Sequence, residues 1–584
     1  MIRIERQQER EGDWLLVSME SALYVIILIA ALAMRFSYLG YWPLLSGEVR
    51  QAWDAWSLLQ GGAPETTSYS PLLFTGNLFN FFAFGASDAA ARFWPVVFGV
   101  LLVFLPYLLR NKLGRIGALV AAALLALSPT FVYFSRVLDG SIAAAACALG
   151  LVVVACGFVA SAGAPDAQRK YLYMGAIILP LALLSGPTIY TFALAALCFA
   201  AYVALSARRG ADSDEHSALQ MAWQTVKSHP DLRMAGMLAA AILVLIGSAL
   251  VFNISGWQAT LNQLGQWLQQ FTKSAGAATP LYYLQLLAIY ETLPLLAGLA
   301  GLFLALRRGN LFSVFLSVWF VIALLVHSIA GVRLSSAAPM ILLPLILLAS
   351  QALGELIETF AEVEPTNWLF LALAVILGAF FYLQLAALTL AGEIVYVRLA
   401  LVTVGVLLLS FAVFWYWMGS EQALPIGAAA LLIALTLMFV HSTMELNYFT
   451  PRDPREPINQ SPTAADMMNV KPYLEDQAAR ATGDRTTMPI LIEKSVHPLA
   501  SWYARDLRSI RWAESLPATL EEKALITAVK EGQTPPKGYV GQRFRISEQA
   551  NLDGLTWSDW LKWYLKRYEI GIKSADMMEI WVKP

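Results

Sequence analysis

The sequence predicts a polytopic α-helical membrane protein with a small soluble α/β domain at its C-terminus. Three observations carry this, the first two being a composition too apolar for a water-facing surface and about thirteen apolar runs long enough to cross a bilayer. An abrupt change of composition near Glu445 is the third. Of the 584 residues, 58% are hydrophobic and only 14% charged, and the mean hydropathy is +0.58. A soluble domain carries about a quarter charged residues. A net charge of −1, from 40 basic and 41 acidic residues, gives no basic footprint for nucleic acid. Cys147, Cys156 and Cys198 all lie in apolar runs. With five scattered histidines they outline neither a disulfide framework nor a metal site.

The charged tail, residues 1–13, leads into an apolar run too long for a signal peptide, which reads as a retained anchor. Spans are expected near 17–39, 93–109, 114–133, 141–162, 171–187, 189–206, 235–253, 281–305, 311–328, 337–353, 368–390, 399–418 and 424–443. Basic loops set the orientation. Arg110, Lys112 and Arg115, then Arg169 with Lys170, Arg208 with Arg209, and Arg307 with Arg308 fall on one side, which is expected to be cytoplasmic together with the N-terminus. The other side holds isolated basic residues: Arg50, Arg92, Arg136, Lys273, Arg333 and Arg398. An odd number of spans places the C-terminus outside the cytoplasmic membrane.

Two outward segments are longer than a connection requires. Residues 40–92 hold Trp42, Trp53, Trp56, Tyr69 and Phe79; residues 255–279 space Trp257, Leu261, Leu264, Leu268 and Phe271 at helical intervals, as an interfacial amphipathic helix would. After the transmembrane region 1–444, residues 445–462 are rich in proline and charge and read as a linker. Beyond it, 463–584 reads as an extracytoplasmic α/β domain. Strand-like runs at 489–493, 509–512, 524–527, 543–546 and 579–582 alternate there with helical runs at 463–480 and 557–568. No glycine-rich phosphate loop occurs in it, and Trp557, Trp560 and Trp563 suit a core or a membrane contact.

Ionisable residues at membrane depth or its margin are costly and usually mark function or a buried pairing. Glu48 and Arg50 in "LLSGEVRQAWDAWSLLQGG", Arg136 and Asp139 in "YFSRVLDGSIAAA", Arg333 in "HSIAGVRLSS" and Glu291 in "AIYETLP" stand out. Arginine holds phosphate by charge-assisted bidentate hydrogen bonds, and a carboxylate can take a proton from an acceptor hydroxyl. Helix-end salt bridges are the competing explanation. Glu48 and Asp139 are the catalytic candidates, with Arg50, Arg136, Arg333, Tyr69 and Glu291 as substrate-binding candidates. No cofactor is indicated, and a divalent cation stays open.

The succession "GEVRQAWDAWSLLQGG", "YSPLLFTGNLFNFFAFGASDAAARFWPVVFGVLLVFLPYLL" and "GALVAAALLALSPTFVYFSRVLD" resembles the protein O-mannosyltransferase and aminoarabinose-transferase superfamily, the type C glycosyltransferases. Within it the chain looks most similar to the flippase-activity-associated proteins, through "YYLQLLAIYETLPLLAGLAGLF", "ILLPLILLA" and "PLASWYARDL". The resemblance implies transfer of a sugar from a polyprenyl-phosphate donor to a lipid, glycan or protein acceptor on the outer face. It matches Glu48 to the second acid of an Asp-Glu pair, Asp139 to the acid opening the fourth helix and Arg136 to an arginine before that acid, and it sets Arg333 near the place of a lysine that could bind phosphate. The pattern is also broken. Gly47 stands where the pair's aspartate, the expected base, belongs; Ser46 replaces a histidine; a second arginine before Asp139 is absent; and "VRLSSAAP" is a degraded lysine-proline-tryptophan motif. Glu48 or Asp54 would have to replace the lost base. The alternative is a non-catalytic subunit of a membrane assembly or of lipid-carrier export. A transporter is disfavoured, since no inverted repeat is visible.

Overall fold

A computed structural model describes residues 2–584 apart from 209–213, 255, 273–278, 361–362, 365–366, 392, 461, 518–519, 531–535, 551–555, 557–558, 560–561 and 565–570. Its helices are α1 (Ile2–Phe36), α2 (Ser46–Leu59), α3 (Pro71–Phe84), α4 (Phe93–Leu108), α5 (Arg115–Leu127), α6 (Pro129–Ser135), α7 (Ser141–Ala160), α8 (Pro165–Ser185), α9 (Ile189–Arg208) and α10 (Asp214–Ser228). Then follow α11 (Leu232–Gly247), α12 (Gly256–Thr272), α13 (Tyr282–Tyr290), α14 (Thr292–Arg308), α15 (Leu311–Ile329), α16 (Ala338–Phe360), α17 (Trp368–Ala391) and α18 (Ile394–Met444). The short α19 (Val470–Thr482) and α20 (Leu499–Ala504) belong to the C-terminal domain.

The bundle is organised around α7 and α16. Met340–Leu343 and Leu345–Ala349 are wholly buried, because neighbours cover α16 on all sides. The alanine-rich α7 lets helices approach closely: a Cβ on Gly140 would stand 2.0 Å from the Ser185 carbonyl oxygen, so the start of α7 touches the end of α8 backbone to backbone. Small residues at such crossings give the close packing that holds helices together in lipid.

By length and composition, seven of the described helices can cross a membrane, or up to ten when each of three bent pairs is one span. The count of about thirteen expected from runs of apolar residues is not reproduced. Helix α4 has only 16 residues, α8 carries Asp166, Arg169 and Lys170 and an internal Pro180, and α18 runs through both expected final spans, bent at Gly419 with φ 75. The expected span 281–305 is likewise two helices meeting at 112° beside Glu291. Helices α5 and α6 bend by 58° at Ser128. The two breaks are tied together: the Glu291 carboxylate accepts Ser128 Oγ (2.6 Å) and the Thr130 N–H (2.9 Å). It thereby satisfies a donor at the N-terminus of α6, where the helix dipole favours negative charge.

The first outer segment folds as α2 and α3. Helix α12 is amphipathic as expected, with Leu261, Leu264, Leu268 and Phe271 exposed on one face. In the C-terminal domain the strands β1 (Pro489–Glu493), β2 (Ser509–Ala513), β3 (Ala524–Ala528), β4 (Val540–Ala550) and β5 (Ile572–Val582) form one mixed sheet in the order β2-β1-β3-β5-β4. Strand β1 runs parallel to β2 and β3, while β5 is antiparallel to β3 and β4. The helix expected from Thr463 starts at Val470 behind a 3₁₀ turn. Trp563 is buried. Arg209, Lys273, Trp557 and Trp560, and most of the expected helix 557–568, lie outside the described residues.

The motif "PLASWYARDL" is the dock between this domain and the first outer segment. Trp502 Nε1 donates to Asp88 (2.8 Å), the Tyr503 hydroxyl accepts the Leu44 N–H (3.1 Å), and Arg505 donates to the Ala86 carbonyl (2.7 Å). The stretch expected as a linker is no solvated tether. Arg452, Glu456, Ile458 and Asn459 are buried, and Tyr290 and Tyr133 donate to Glu456 (2.5 Å) and Asn459 (2.7 Å). Its polar residues find partners in the bundle, so they read as hydrophilic without being exposed.

Candidate active site

Where the outer segment, the bundle and the stretch before the C-terminal domain meet, a cavity of about 440 Å³ opens. Four helices contribute their starting turns to its wall: Ser46 and Gly47 of α2, Gly140 and Ser141 of α7, Thr188 before α9, and Ser335–Ala337 before α16. The loop Ser68–Ser70, the polar face of α12 (Gln266, Trp267, Gln270), His327 of α15 and the run Ile458–Gln460 complete it.

Glu48 lines this cavity but is 2% exposed. Arg92 grips it as a fork, with Nε and Nη2 each 2.8 Å from one carboxylate oxygen. Arg452 Nη2 adds a contact at 3.2 Å, and the N–H groups of Leu45 and Leu138 donate at 2.7 and 2.6 Å. The remaining Arg92 hydrogens go to the carbonyls of Leu39, Trp42 and Pro43, each at 2.9 Å. A carboxylate offers about four lone-pair sites, and these donors saturate them. Burial alone would raise the Glu48 carboxyl, but Arg92 and then Arg452 outweigh it and hold the group below the usual carboxylate range. Such a group is a poor proton acceptor.

Asp139 is the other carboxylate on the wall. It is half-buried, accepts the Ser141 N–H at 2.8 Å, and has no ion pair among the described residues. Burial raises its carboxyl above the ordinary value, partly opposed by Ser141. Gly47 faces the same space: a Cβ there would meet nothing within 4 Å, and the residue sits in the first turn of α2. Asp54 is committed elsewhere, accepting the N–H groups of Glu65 (3.0 Å) and Thr66 (3.2 Å) and the Thr66 hydroxyl (2.8 Å).

The substrate-binding candidates separate. Tyr69 lines the cavity, stacked on Phe74 at 4.4 Å with its hydroxyl accepting from Asn253 (2.8 Å). Arg136 does not: its guanidinium donates to the Ser37 carbonyl (2.8 Å) and lies over the Tyr448 ring (4.6 Å). Arg333 donates to the Ser328 carbonyl (3.1 Å) and is not on the wall, although its neighbours Leu334 and Ser335 are. Arg50 is exposed and off the wall, and Glu291 is buried at the helix breaks. Of the six ionisable candidates only Glu48 and Asp139 reach the wall, and the guanidiniums of Arg136 and Arg333 are held by backbone carbonyls instead.

Among the described residues no lysine or arginine lines the cavity. Among its unanswered groups are neutral donors: Gln51 Nε2, Thr188 Oγ1, Gln266 Nε2 and Gln270 Nε2 are buried atoms on the wall without hydrogen-bond partners among the described residues. The Gln51 amide is oriented by the Ser70 N–H bound to its Oε1 (3.2 Å). None of these, nor Arg92 and Arg452, was apparent as a site residue from sequence. Arg92 carries the one available signal, an arginine at the margin of a span. Among the described residues no group of three or more His, Cys, Asp and Glu could hold a metal ion.

Comparison with known proteins agrees with the fold. The family model described as dolichyl-phosphate-mannose-protein mannosyltransferase matches residues 78–223, a stretch that includes Asp139 but not Glu48. The crystal structure of ArnT from Cupriavidus metallidurans bound to undecaprenyl phosphate superposes with a TM-score of 0.53 at 16% identity, covering 85% of each chain. The archaeal oligosaccharyltransferase AglB from Archaeoglobus fulgidus, in complex with an inhibitory peptide and a dolichol-phosphate, scores 0.49 at 12% identity, covering 85% of this chain and 64% of that one. Among curated proteins nothing matches. The chain is an integral membrane protein with the type C glycosyltransferase fold, and the resemblance to the mannosyltransferase and aminoarabinose-transferase superfamily holds in both sequence and fold.

Proposed function

We propose that the protein transfers a sugar from a polyprenyl-phosphate-linked donor to a hydroxyl acceptor on the outer face of the membrane, with Asp139 as the acceptor-activating base. The observation that carries this is the contrast between the two wall carboxylates: Glu48 is saturated by donors, whereas Asp139 is free of cations among the described residues. The acceptor oxygen would attack the sugar's anomeric carbon, its proton passing to Asp139, while the anomeric bond to phosphate breaks and polyprenyl phosphate leaves. Leaving-group charge would fall on the starting turns of α2, α7, α9 and α16 and on the neutral donors, since helix N-termini stabilise anions without a cation. Glu48 is architectural in this reading, and Arg136 and Arg333 hold backbone rather than phosphate. The similar ArnT structure from Cupriavidus metallidurans is bound to undecaprenyl phosphate, which supports the donor class. The closer likeness to flippase-activity-associated proteins, and an outward C-terminal domain on the face carrying Glu48, belong to the same proposal.

A specific observation favours a second reading, a non-catalytic subunit of an assembly or export system: Gly47 leaves the usual acid position empty, and no cation among the described residues lines the cavity. One experiment separates the two. A deletion strain is complemented with wild type or Asp139→Asn, and glycans and lipid-linked sugars are profiled by mass spectrometry. The enzyme reading expects accumulated lipid-linked sugar with the variant, as base removal costs a factor of about 10² to 10⁴. Full restoration by Asp139→Asn rejects it.

A further inference from the structure

A second cavity, of about 420 Å³, lies at the opposite ends of the same helices, between the end of α7, the middle of α9, α10 and the start of α15. Its wall is hydrocarbon, with Ala196, Phe199 and Phe315 among the side chains and Cys156 on one side. Two ionisable residues stand at its edge. Glu215 is engaged, its Oε2 accepting the Leu311 N–H at 2.9 Å. Lys112 is exposed and has no hydrogen-bond or ion-pair partner for its ammonium among the described residues. Arg110 and Arg115 flank it in sequence: Arg110 and Lys112 belong to a four-residue helix, Arg110–Leu113, between α4 and α5, and Arg115 opens α5.

The chemistry of the occupant follows. Membrane-crossing helices bound the space, so its contents come from the bilayer, and the lining offers nothing to a sugar or peptide backbone, whose polar groups would be stranded. A hydrocarbon chain fits. At its end Lys112, on a flexible apolar stem, can reach the head-group level. An ammonium without a partner among the described residues, in a stretch that also carries Arg110, paired with Glu20, and Arg115, favours an anionic head group over a zwitterionic one. We infer that this cavity binds one acyl chain of an anionic phospholipid from the leaflet opposite the candidate active site, with the lipid phosphate against Lys112. The bound lipid would fasten the short α10, whose Ala218 and Leu219 line the cavity, to the bundle. This site is independent of any glycosyl transfer.

The test uses the full chain reconstituted in phosphatidylcholine vesicles with or without phosphatidylglycerol, then re-extracted for native mass spectrometry. Wild type is expected to retain a phosphatidylglycerol adduct in preference to phosphatidylcholine. Lys112→Gln, removing a cation worth about 1 kcal/mol near a lipid surface, is expected to lower that adduct about fivefold. Ala196→Phe, which fills the space while keeping Lys112, is expected to lower it as well. Adduct levels unchanged in either variant, or equal for the two lipids, overturn the inference. Peptide-resolved labelling of Cys156 by a membrane-permeant maleimide needs no substitution. It should slow when phosphatidylglycerol is present, and equal rates overturn the site in the same way.

Discussion

Glu48→Gln separates a clamp from a catalyst. In the wild type one negative charge sits between two guanidiniums, Arg92 at 1% exposure and Arg452 at 7%, so the buried trio already carries a net positive charge. Glutamine keeps the shape but leaves two buried cations facing each other with a neutral partner. Breaking a buried pair in this way costs about 3–5 kcal/mol. The structure also ranks the other members. Arg92 makes both short contacts to Glu48 and three carbonyl bonds, whereas Arg452 makes one contact at 3.2 Å. Moreover, removing Arg452 leaves a neutral Arg92–Glu48 pair. Thermal unfolding in detergent, followed by tryptophan fluorescence or size-exclusion of heated samples, should therefore show large losses for Glu48→Gln and Arg92→Gln and a smaller one for Arg452→Gln. If Glu48→Gln melted like wild type while transfer fell a hundredfold, the clamp argument would fail and Glu48 would be the base.

Three further outcomes are expected. Because burial raises the Asp139 carboxyl and only its ionised form accepts a proton, transfer should fall as pH drops through a value above the ordinary aspartate value of about 3.9; a flat acid limb down to that value speaks against Asp139. Gly47→Asp should fold with an unchanged melting temperature, since its side chain enters open space, and it should raise transfer if an acid at that position completes the site; aggregation of the variant would contradict the open geometry. A cysteine at Ser509 should label with an impermeant maleimide on intact cells and one at Ser228 only after permeabilisation, both positions being exposed. The reverse pattern inverts the proposed topology.

Much of the scaffold was legible in the sequence, for physical reasons. Hydropathy marks spans because lipid tolerates few charges, and the spacing of Leu261, Leu264, Leu268 and Phe271 marks α12 because an interfacial helix buries one face only. Strands of the outer domain were found from their apolar, β-branched runs. What escaped was pairing at long range. Nothing around Glu48 announces Arg92, and still less Arg452, which arrives some four hundred positions later. The arginines Arg136 and Arg333 were misplaced for a related cause: a guanidinium beside a helix end satisfies orphan carbonyls, an interaction with no residue-type signature. The break at Glu291 lies within an apolar run, and it depends on a partner, Ser128 and Thr130, in another bent helix. Composition around 445–462 signalled polarity correctly and burial not at all.

The run Ile458–Gln460 forms part of the cavity wall, and Arg452 just ahead of it completes the clamp on Glu48. Both follow α18 in the chain. A ribosome therefore finishes the entire transmembrane bundle before it delivers the segment that closes the pocket. Until then the nascent protein has its helices, the long segment 40–92 and Asp139, but a cavity lacking one side. Competence for any ligand of this cavity thus begins with the arrival of this late segment, and chains interrupted before it would insert into the membrane with an open, unclamped site.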